Sequence, residues 1–312
     1  MGLATEFISD PDRLQQLEPD WRSLWSLLED TTPFQSPDWI LPWWRRYGDT
    51  NLFSFAFWND GQLFGLGPLY IFSSAADSTR RLFLIGTGIT DYLDAILRPD
   101  FRPYCWTVLV EEISRRREQW DECDSQRLRP GSVLLQQIES GSGLFANASE
   151  QEPCVAVDCS GSAAERMLKA AKVYARKLSS KKPLAIDDAT PDSFEDMLCA
   201  FEQLHERRWQ AKGFPGVLAE ERDRNFHHQV ASRVLRAGTL MLHALRVSGK
   251  IVSVIYGLQR GARTYSYLSG FDPAYRRQSV GTILVGHAIE QSLKQVRSFD
   301  FLKGQEPYKY RC

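Results

Sequence analysis

Three strand-length apolar runs follow one another between residues 239 and 270, at 239–247, 250–258 and 264–270, and their close spacing constrains the fold more than any other feature. Ser248-Gly249 joins the first two, a connection that fits only a hairpin, so those runs pair antiparallel. The third returns after residues 259–263 and extends the same antiparallel set. Helical patterns precede the set at residues 163–182, 191–212 and 220–237, the first of them strongly basic. A helix from about 279 to 296 and a short strand at 299–302 follow it. The second half therefore reads helices, three antiparallel strands, helix, strand, with a further helix beginning where the sequence stops.

The first half opens in a related way. Leu14, Leu17, Trp21, Leu24, Trp25 and Leu28 recur at three- and four-residue steps and predict one amphipathic helix over residues 11–29. Ser36-Pro37-Asp38 supplies an N-cap, a first-turn proline and an acid for a second helix carrying Trp39, Trp43 and Trp44. Residues 51–58 and 62–72 flank the turn Asn59-Asp60-Gly61 and read as a hairpin, with a third strand at 81–85. Between residues 140 and 162 the sequence turns to Gly, Ser, Glu and Pro, interrupted by one strand-like run at 154–157. The expected division is 1–150 and 160–312, and a hydrophobic content of 43% suffices for a core in each half.

Charge narrows the function classes. Lys and Arg number 38 against 39 for Asp and Glu, so no global field draws nucleic acid or an anionic membrane, and a small or locally charged partner fits better. The N-terminus lacks a basic, then apolar, secretory signal, and Glu6 breaks the myristoylation pattern. No stretch approaches the roughly 18 apolar residues of a spanning helix. A cytoplasmic location is the expectation. Cys105, Cys123, Cys154, Cys159, Cys199 and Cys312 form no Cys-x-x-Cys pair and have no histidine at ligand spacing, so reduced thiols and no metal are expected.

Residues Arg276, Arg277, Gln278, Ser279, Val280, Gly281 and Thr282 lie between a strand and a helix. A helix N-terminus offers free N–H groups and a favourable dipole to an anion. Gly281 permits close approach, Ser279 can cap, and the arginines add charge. An ordinary capped helix after a turn has the same local pattern; the three preceding strands favour the anion site.

The closing segment Phe299-Asp300-Phe301-Leu302-Lys303-Gly304-Gln305-Glu306-Pro307-Tyr308-Lys309 resembles the end motif of the acetyltransferase 6, or CelD-like, family of the GNAT superfamily, associated with cellulose and exopolysaccharide gene sets. Other blocks look like that family in the same order: Phe34 to Trp39 with Trp43, Trp44 and Arg45; Gly86, Gly88, Asp91, Tyr92 and Asp94; Leu204, His205, Arg208, Trp209 and Gly213; and Gly270-Phe271-Asp272-Pro273. The resemblance spans most of the chain from residue 34 onward. It implies an α/β (α+β) chain with a tandem GNAT acyl-CoA N-acyltransferase fold, mixed and mostly antiparallel sheets flanked by helices. The first domain would be a degenerate copy, and the second would bind acetyl-CoA or another acyl-CoA on a sheet splayed between its fourth and fifth strands. Gln278 and Gly281 match the family's phosphate loop, while Ile283 replaces its final small residue. Family members continue past the Tyr-Lys pair with a tryptophan where this sequence ends in Cys312, so a second domain short of its last elements is expected.

On this reading Glu306 is the candidate base, while Lys309 and Tyr308 would stabilise the tetrahedral intermediate and protonate the departing thiolate. Asp300, on the strand face opposite Phe299 and Phe301, orients a base, pairs with Lys309 or faces solvent. His205, Arg208 and Trp209 share a helix face and would border a small-molecule amine acceptor, a sugar amine by the family's association. Asp91 and Tyr92, after the Gly86-x-Gly88 turn, would add to it from an interdomain cleft. The segment is also similar to Fem-type peptidyltransferases, which implies an alternative aminoacyl-tRNA donor; the basic face of Lys169, Lys172, Arg176, Lys177, Lys181 and Lys182 would then meet nucleic acid. A non-catalytic accessory role in polysaccharide assembly is the third possibility.

Overall fold

The computed structural model describes residues 3–48, 51–74, 76, 78–139, 148–295, 298–304 and 309, and separates into two compact units, Met1–Gln151 and Glu152–Cys312. In chain order the first unit holds β1 (Leu3–Ile8), α1 (Pro11–Gln16), α2 (Glu18–Leu27), α3 (Pro37–Tyr47), β2 (Asn51–Leu52), β3 (Ser54–Asn59) and β4 (Gln62–Gly67). It continues with β5 (Leu69–Ser73), β6 (Arg80–Leu84), β7 (Ile96–Leu97), α4 (Arg102–Arg115), β8 (Glu122–Asp124) and α5 (Val133–Glu139).

The predicted first helix is two helices. Pro19 has no N–H to continue the ladder from α1, so the chain restarts at α2 with that proline in its first turn. The predicted hairpin is likewise divided. Phe53 and Pro68 interrupt its arms, and Pro68 again removes a ladder donor. The halves nearer the turn, β3 and β4, join the sheet ordered β1-β3-β4-β7, and the outer halves, β2 and β5, join the sheet β2-β5-β6-β8. Phe53, Phe55, Phe57 and Phe64, each at most 1% exposed, pack with Trp106 and Leu109 of α4 in this unit's core.

The second unit holds β9 (Cys154–Asp158), α6 (Ser162–Ser179), β10 (Leu184–Asp188), α7 (Phe194–Gln210), α8 (Glu221–Arg236), β11 (Leu240–Val247), β12 (Lys250–Arg260), β13 (Arg263–Phe271), α9 (Val280–Gln295) and β14 (Ser298–Lys303). Its sheet runs β10-β11-β12-β13-β14-β9. Every pair is antiparallel except β13 with β14, whose parallel pairing the crossover through α9 permits. Helices cover both faces: α6 and α9 pack on Leu245, Ile255 and Phe299, whereas Phe201 of α7 and Ala231 of α8 pack on Leu242 and Tyr256.

The α6–α9 contact is close because one residue lacks a side chain. A Cβ on Gly286 would stand 2.2 Å from the Cβ of Ala171. Gly286→Ala is therefore expected to destabilise the second unit by about 1–3 kcal/mol despite alanine's better helix propensity, read as a lower denaturation midpoint.

Candidate functional site

The parallel pair β13–β14 is hydrogen-bonded only at its start, with Arg263 opposite Ser298, Thr264 opposite Phe299 and Tyr265 opposite Asp300. β13 then continues to Phe271 paired with β12 but no longer with β14. Two features turn β14 away. Its register with β9 shifts between Asp300 and Lys303, and Leu302 adopts φ of 56°, a conformation that costs a non-glycine residue roughly 1–2 kcal/mol.

Side chains sustain this bend. Asp300, 1% exposed, accepts the Leu302 N–H at 2.8 Å through Oδ1, and its Oδ2 lies 3.7 Å from Arg263. The buried Lys309 ammonium donates to the carbonyls of Phe301 and Lys303 at 3.0 and 2.6 Å. Asp300 is thus buried rather than facing solvent: a two-residue alternation does not make the second face of a strand solvent-exposed. Asp300→Ala would leave a buried N–H without its acceptor, and a loss of about 1–3 kcal/mol in unfolding free energy is expected by urea titration.

A cavity of about 190 Å³ lies beside the free end of β13. Its lining includes Ser269, Gly270 and Phe271 of β13, Arg208 of α7, Arg276, and Ser279 through Thr282 at the start of α9. The turn Pro273–Gln278 is a 3-10 helix capped by Asp272, and Ser279 follows at φ 55°. A right-handed turn entering one left-handed residue aims successive N–H groups toward a common point. The first α9 bond runs from the Ile283 N–H to the Ser279 carbonyl. The N–H groups of residues 280–282 therefore precede the ladder, as at any helix start. A Cβ at Gly281 would meet nothing within 4 Å, so the first turn stands clear of neighbours. Two guanidinium groups, open helix N–H groups and a bare backbone fit a pyrophosphate. Val280 is buried, and Arg277 and Gln278 are exposed and do not line the cavity.

The opposite helix supplies a second group of residues. The Ser269 carbonyl, beyond the last β13–β14 pair, accepts from His205 Nδ1 at 3.0 Å and from Arg208 at 3.2 Å. Donating from Nδ1 fixes the His205 tautomer and leaves Nε2 as its lone-pair atom. Burial pushes this imidazole down to about 4, so it is neutral near pH 7. Among the described residues, His205 Nε2, Trp209 Nε1 and Tyr256 Oη are buried without a hydrogen-bond partner. Their rings connect through contacts of 5–6 Å: His205 to Trp209, Phe201 to His205, and Phe201 to Tyr256. Buried orphan groups are costly, and water or a ligand commonly relieves them.

Arg208 bridges the two groups: its guanidinium lies 5.2 Å above the Phe271 ring and lines the anion cavity. Sequence spacing grouped it with the acceptor-side residues, and its reach across β13 carries no sequence signal. Tyr256 was hidden too, inside an apolar strand. Asp91 and Tyr92 are buried in the first unit, with Tyr92 against Phe34, while neighbouring Asp94 caps α5 through the N–H groups of Val133 and Leu134. Glu306 and Tyr308 lie outside the described residues. No helix among the described residues is long and apolar enough to cross a membrane.

Residues 166–310 match the family described as acetyltransferase (GNAT) domain. No curated protein matches the sequence. Among solved structures, FemX aligns with a TM-score of 0.64 at 9% identity, over 97% of this chain and 89% of its own. A conserved protein of unknown function from Bacteroides thetaiotaomicron gives 0.62 at 13%, over 99% and 94%. L-PGS from Bacillus licheniformis gives 0.54 at 14%, over 96% and 79%. At such identities the likeness is one of fold. It agrees with mixed, mostly antiparallel sheets flanked by helices, as the order of elements predicts.

Proposed function

We propose that this chain is an acyl-CoA-dependent N-acyltransferase that uses the opening between β13 and β14 to bring a thioester to an amine. The observation that carries this reading is the coincidence of the splayed strand pair with an anion-fitted helix start at the same end of the sheet. CoA supplies the activated acyl group. Backbone N–H groups of residues 280–282, with Arg276 and Arg208, hold its phosphates, and the β14-facing edge of β13 beyond Tyr265 offers groups to an amide-bearing pantetheine arm.

The acceptor amine enters on the α7 side. There the His205 lone pair and the Trp209 N–H give one acceptor and one donor for an uncharged amine or hydroxyl-bearing substrate. With its proton affinity depressed by burial, His205 orients the amine by hydrogen bonding and is a weak base. Glu306 takes the amine proton and Tyr308 returns one to the departing thiolate, with Asp300 and Lys309 holding the end of β14 that leads to them. An amine on a sugar or other small polar molecule suits this donor set.

The test is titration of the protein with CoA and acetyl-CoA by calorimetry and thermal shift. Saturation at a hundred times Kd is expected to add about 2.7 kcal/mol of stability. An aminoacyl-tRNA donor predicts instead no CoA binding and a salt-sensitive tRNA complex weakened by charge reversal at Lys169 and Lys172. Binding of neither sinks the catalytic reading.

A further inference from the structure

On the α6 and α9 side of the sheet, three side chains that the sequence separates widely come together at its β10–β11 edge. Asp188 ends β10, His243 is its cross-strand partner in β11, and His287 lies two turns into α9. Asp188 Oδ1 is 2.7 Å from His243 Nδ1 and 3.2 Å from His287 Nε2. One ligand atom from each residue lies within 4.8 Å of the other two. The imidazole centroids are 5.1 Å apart with rings at 87°, so the two nitrogens converge on the carboxylate without stacking.

We infer that Asp188, His243 and His287 form a binding site for a divalent transition-metal ion, zinc above all. Two imidazoles and a carboxylate make a mixed nitrogen and oxygen set of the kind zinc accepts, with a fourth position for water. Zinc bonds of about 2.0–2.2 Å place tetrahedral ligand atoms about 3.3 Å apart. The two separations to Asp188, 2.7 and 3.2 Å, lie just under this value and the ligand atoms all stand within 4.8 Å of one another, so small rotations of Asp188 and His287 suffice to admit the ion. Asp188 is able to make that adjustment, because its side chain is 60% exposed while the two imidazoles are 11% and 17% exposed. The ion would have an open approach on the carboxylate side and a shielded bed on the histidine side. Gln291, one turn beyond His287 with its amide 3.5 Å from the ligating Nε2, is placed to hold the fourth ligand.

The site is separate from the anion cavity. His287 does not line that cavity, whose lining reaches Leu284 and Val285 of α9, and it stands seven residues, roughly 10 Å, from the helix's first residue. A bound ion would tie the outer strand pair β10–β11 to this helix, whose far end carries the proposed phosphate loop. Its expected role is structural, with the stability gained depending on metal concentration.

The test uses untagged full-length protein stripped with a chelator. Zinc is titrated by calorimetry, and cobalt(II) by the visible absorption that marks tetrahedral coordination. One equivalent bound, a raised Tm and a tetrahedral cobalt spectrum are expected. Asp188→Asn, which keeps an oxygen to accept from both imidazoles but loses the charge, should weaken zinc at least tenfold and lose the Tm increment that zinc gives the parent. His287→Gln should do the same and abolish the cobalt bands. If zinc leaves Tm unaltered, or if both variants bind it as the parent does, the three residues are a hydrogen-bonded clamp and the metal site is refuted.

Discussion

Gly281→Trp is expected to weaken CoA binding at least a hundredfold while lowering the Tm of the ligand-free protein by little. Both halves follow from the surroundings of residue 281. Its Cβ position opens onto free space, so the indole enters without pushing on backbone or core. Glycine in a helix also carries a propensity penalty near 1 kcal/mol that tryptophan partly relieves. The free space is the mouth of a cavity of about 190 Å³, which an indole would largely fill. The phosphates would then lose the N–H groups of residues 280–282 and be pushed from Arg276. Charge-assisted hydrogen bonds are each worth about 1.5–3 kcal/mol, and two lost amount to a hundredfold or more. Calorimetric titration of parent and variant with CoA measures the effect. Equal affinity in both would place the phosphates elsewhere and remove the basis for the proposed donor.

The loop and helix start at residues 276–282, proposed to hold phosphate, could be located because they combine two local signals, a glycine near a helix start and flanking arginines, with an order of strands that leaves few topologies. The three strands of the β11–β13 meander were legible for the same reason: short connections leave no other pairing. β10 was not, since Leu184-Ala185-Ile186-Asp187-Asp188 carries two acids in five residues and borrows its strand character from pairing with β11. α4 was hidden by Tyr104, Trp106, Thr107, Val108, Val110 and Ile113, residues that favour strands in isolation and are held helical by packing.

Functional details failed to show for a different reason. The His205 tautomer depends on a carbonyl 64 residues away, and Asp300 sits opposite Ala156 of β9, which precedes it by well over a hundred residues and becomes its neighbour only in the sheet. Local pattern reports which face of an element a residue occupies. It does not report what covers that face.

Acid is expected to destabilise the second unit steeply between pH 6.5 and 4, because two of its histidines are folded into places that exclude a proton. Burial lowers His205 to about 4 and His227 to about 3 from an ordinary value of 6.5, and the positive end of Arg208 adds to the effect on His205. The sign follows from which state binds the proton. Below pH 6.5 the unfolded chain protonates both rings while the folded chain keeps them neutral, so unfolding takes up protons and stability falls with pH until the folded values are reached. At about 1.4 kcal/mol per pH unit for each ring, the two together remove roughly 4 kcal/mol by pH 5, against a total of about 5–15 kcal/mol for a domain. Asp188, held down to about 2 chiefly by its hydrogen bond to His243, adds its own loss only below the usual carboxylate range. In the first unit Asp94, raised to about 6 by burial, works in the opposite direction. Urea denaturation of the parent and of a His205→Gln, His227→Phe double variant at pH 7 and pH 5 separates these contributions, since glutamine preserves a donor for Ser269 and phenylalanine the packing against Tyr256. The variant should lose roughly 4 kcal/mol less than the parent between the two pH values. Equal losses would mean that both imidazoles accept protons inside the fold, and the neutral His205 on which amine recognition rests would have to be abandoned with them.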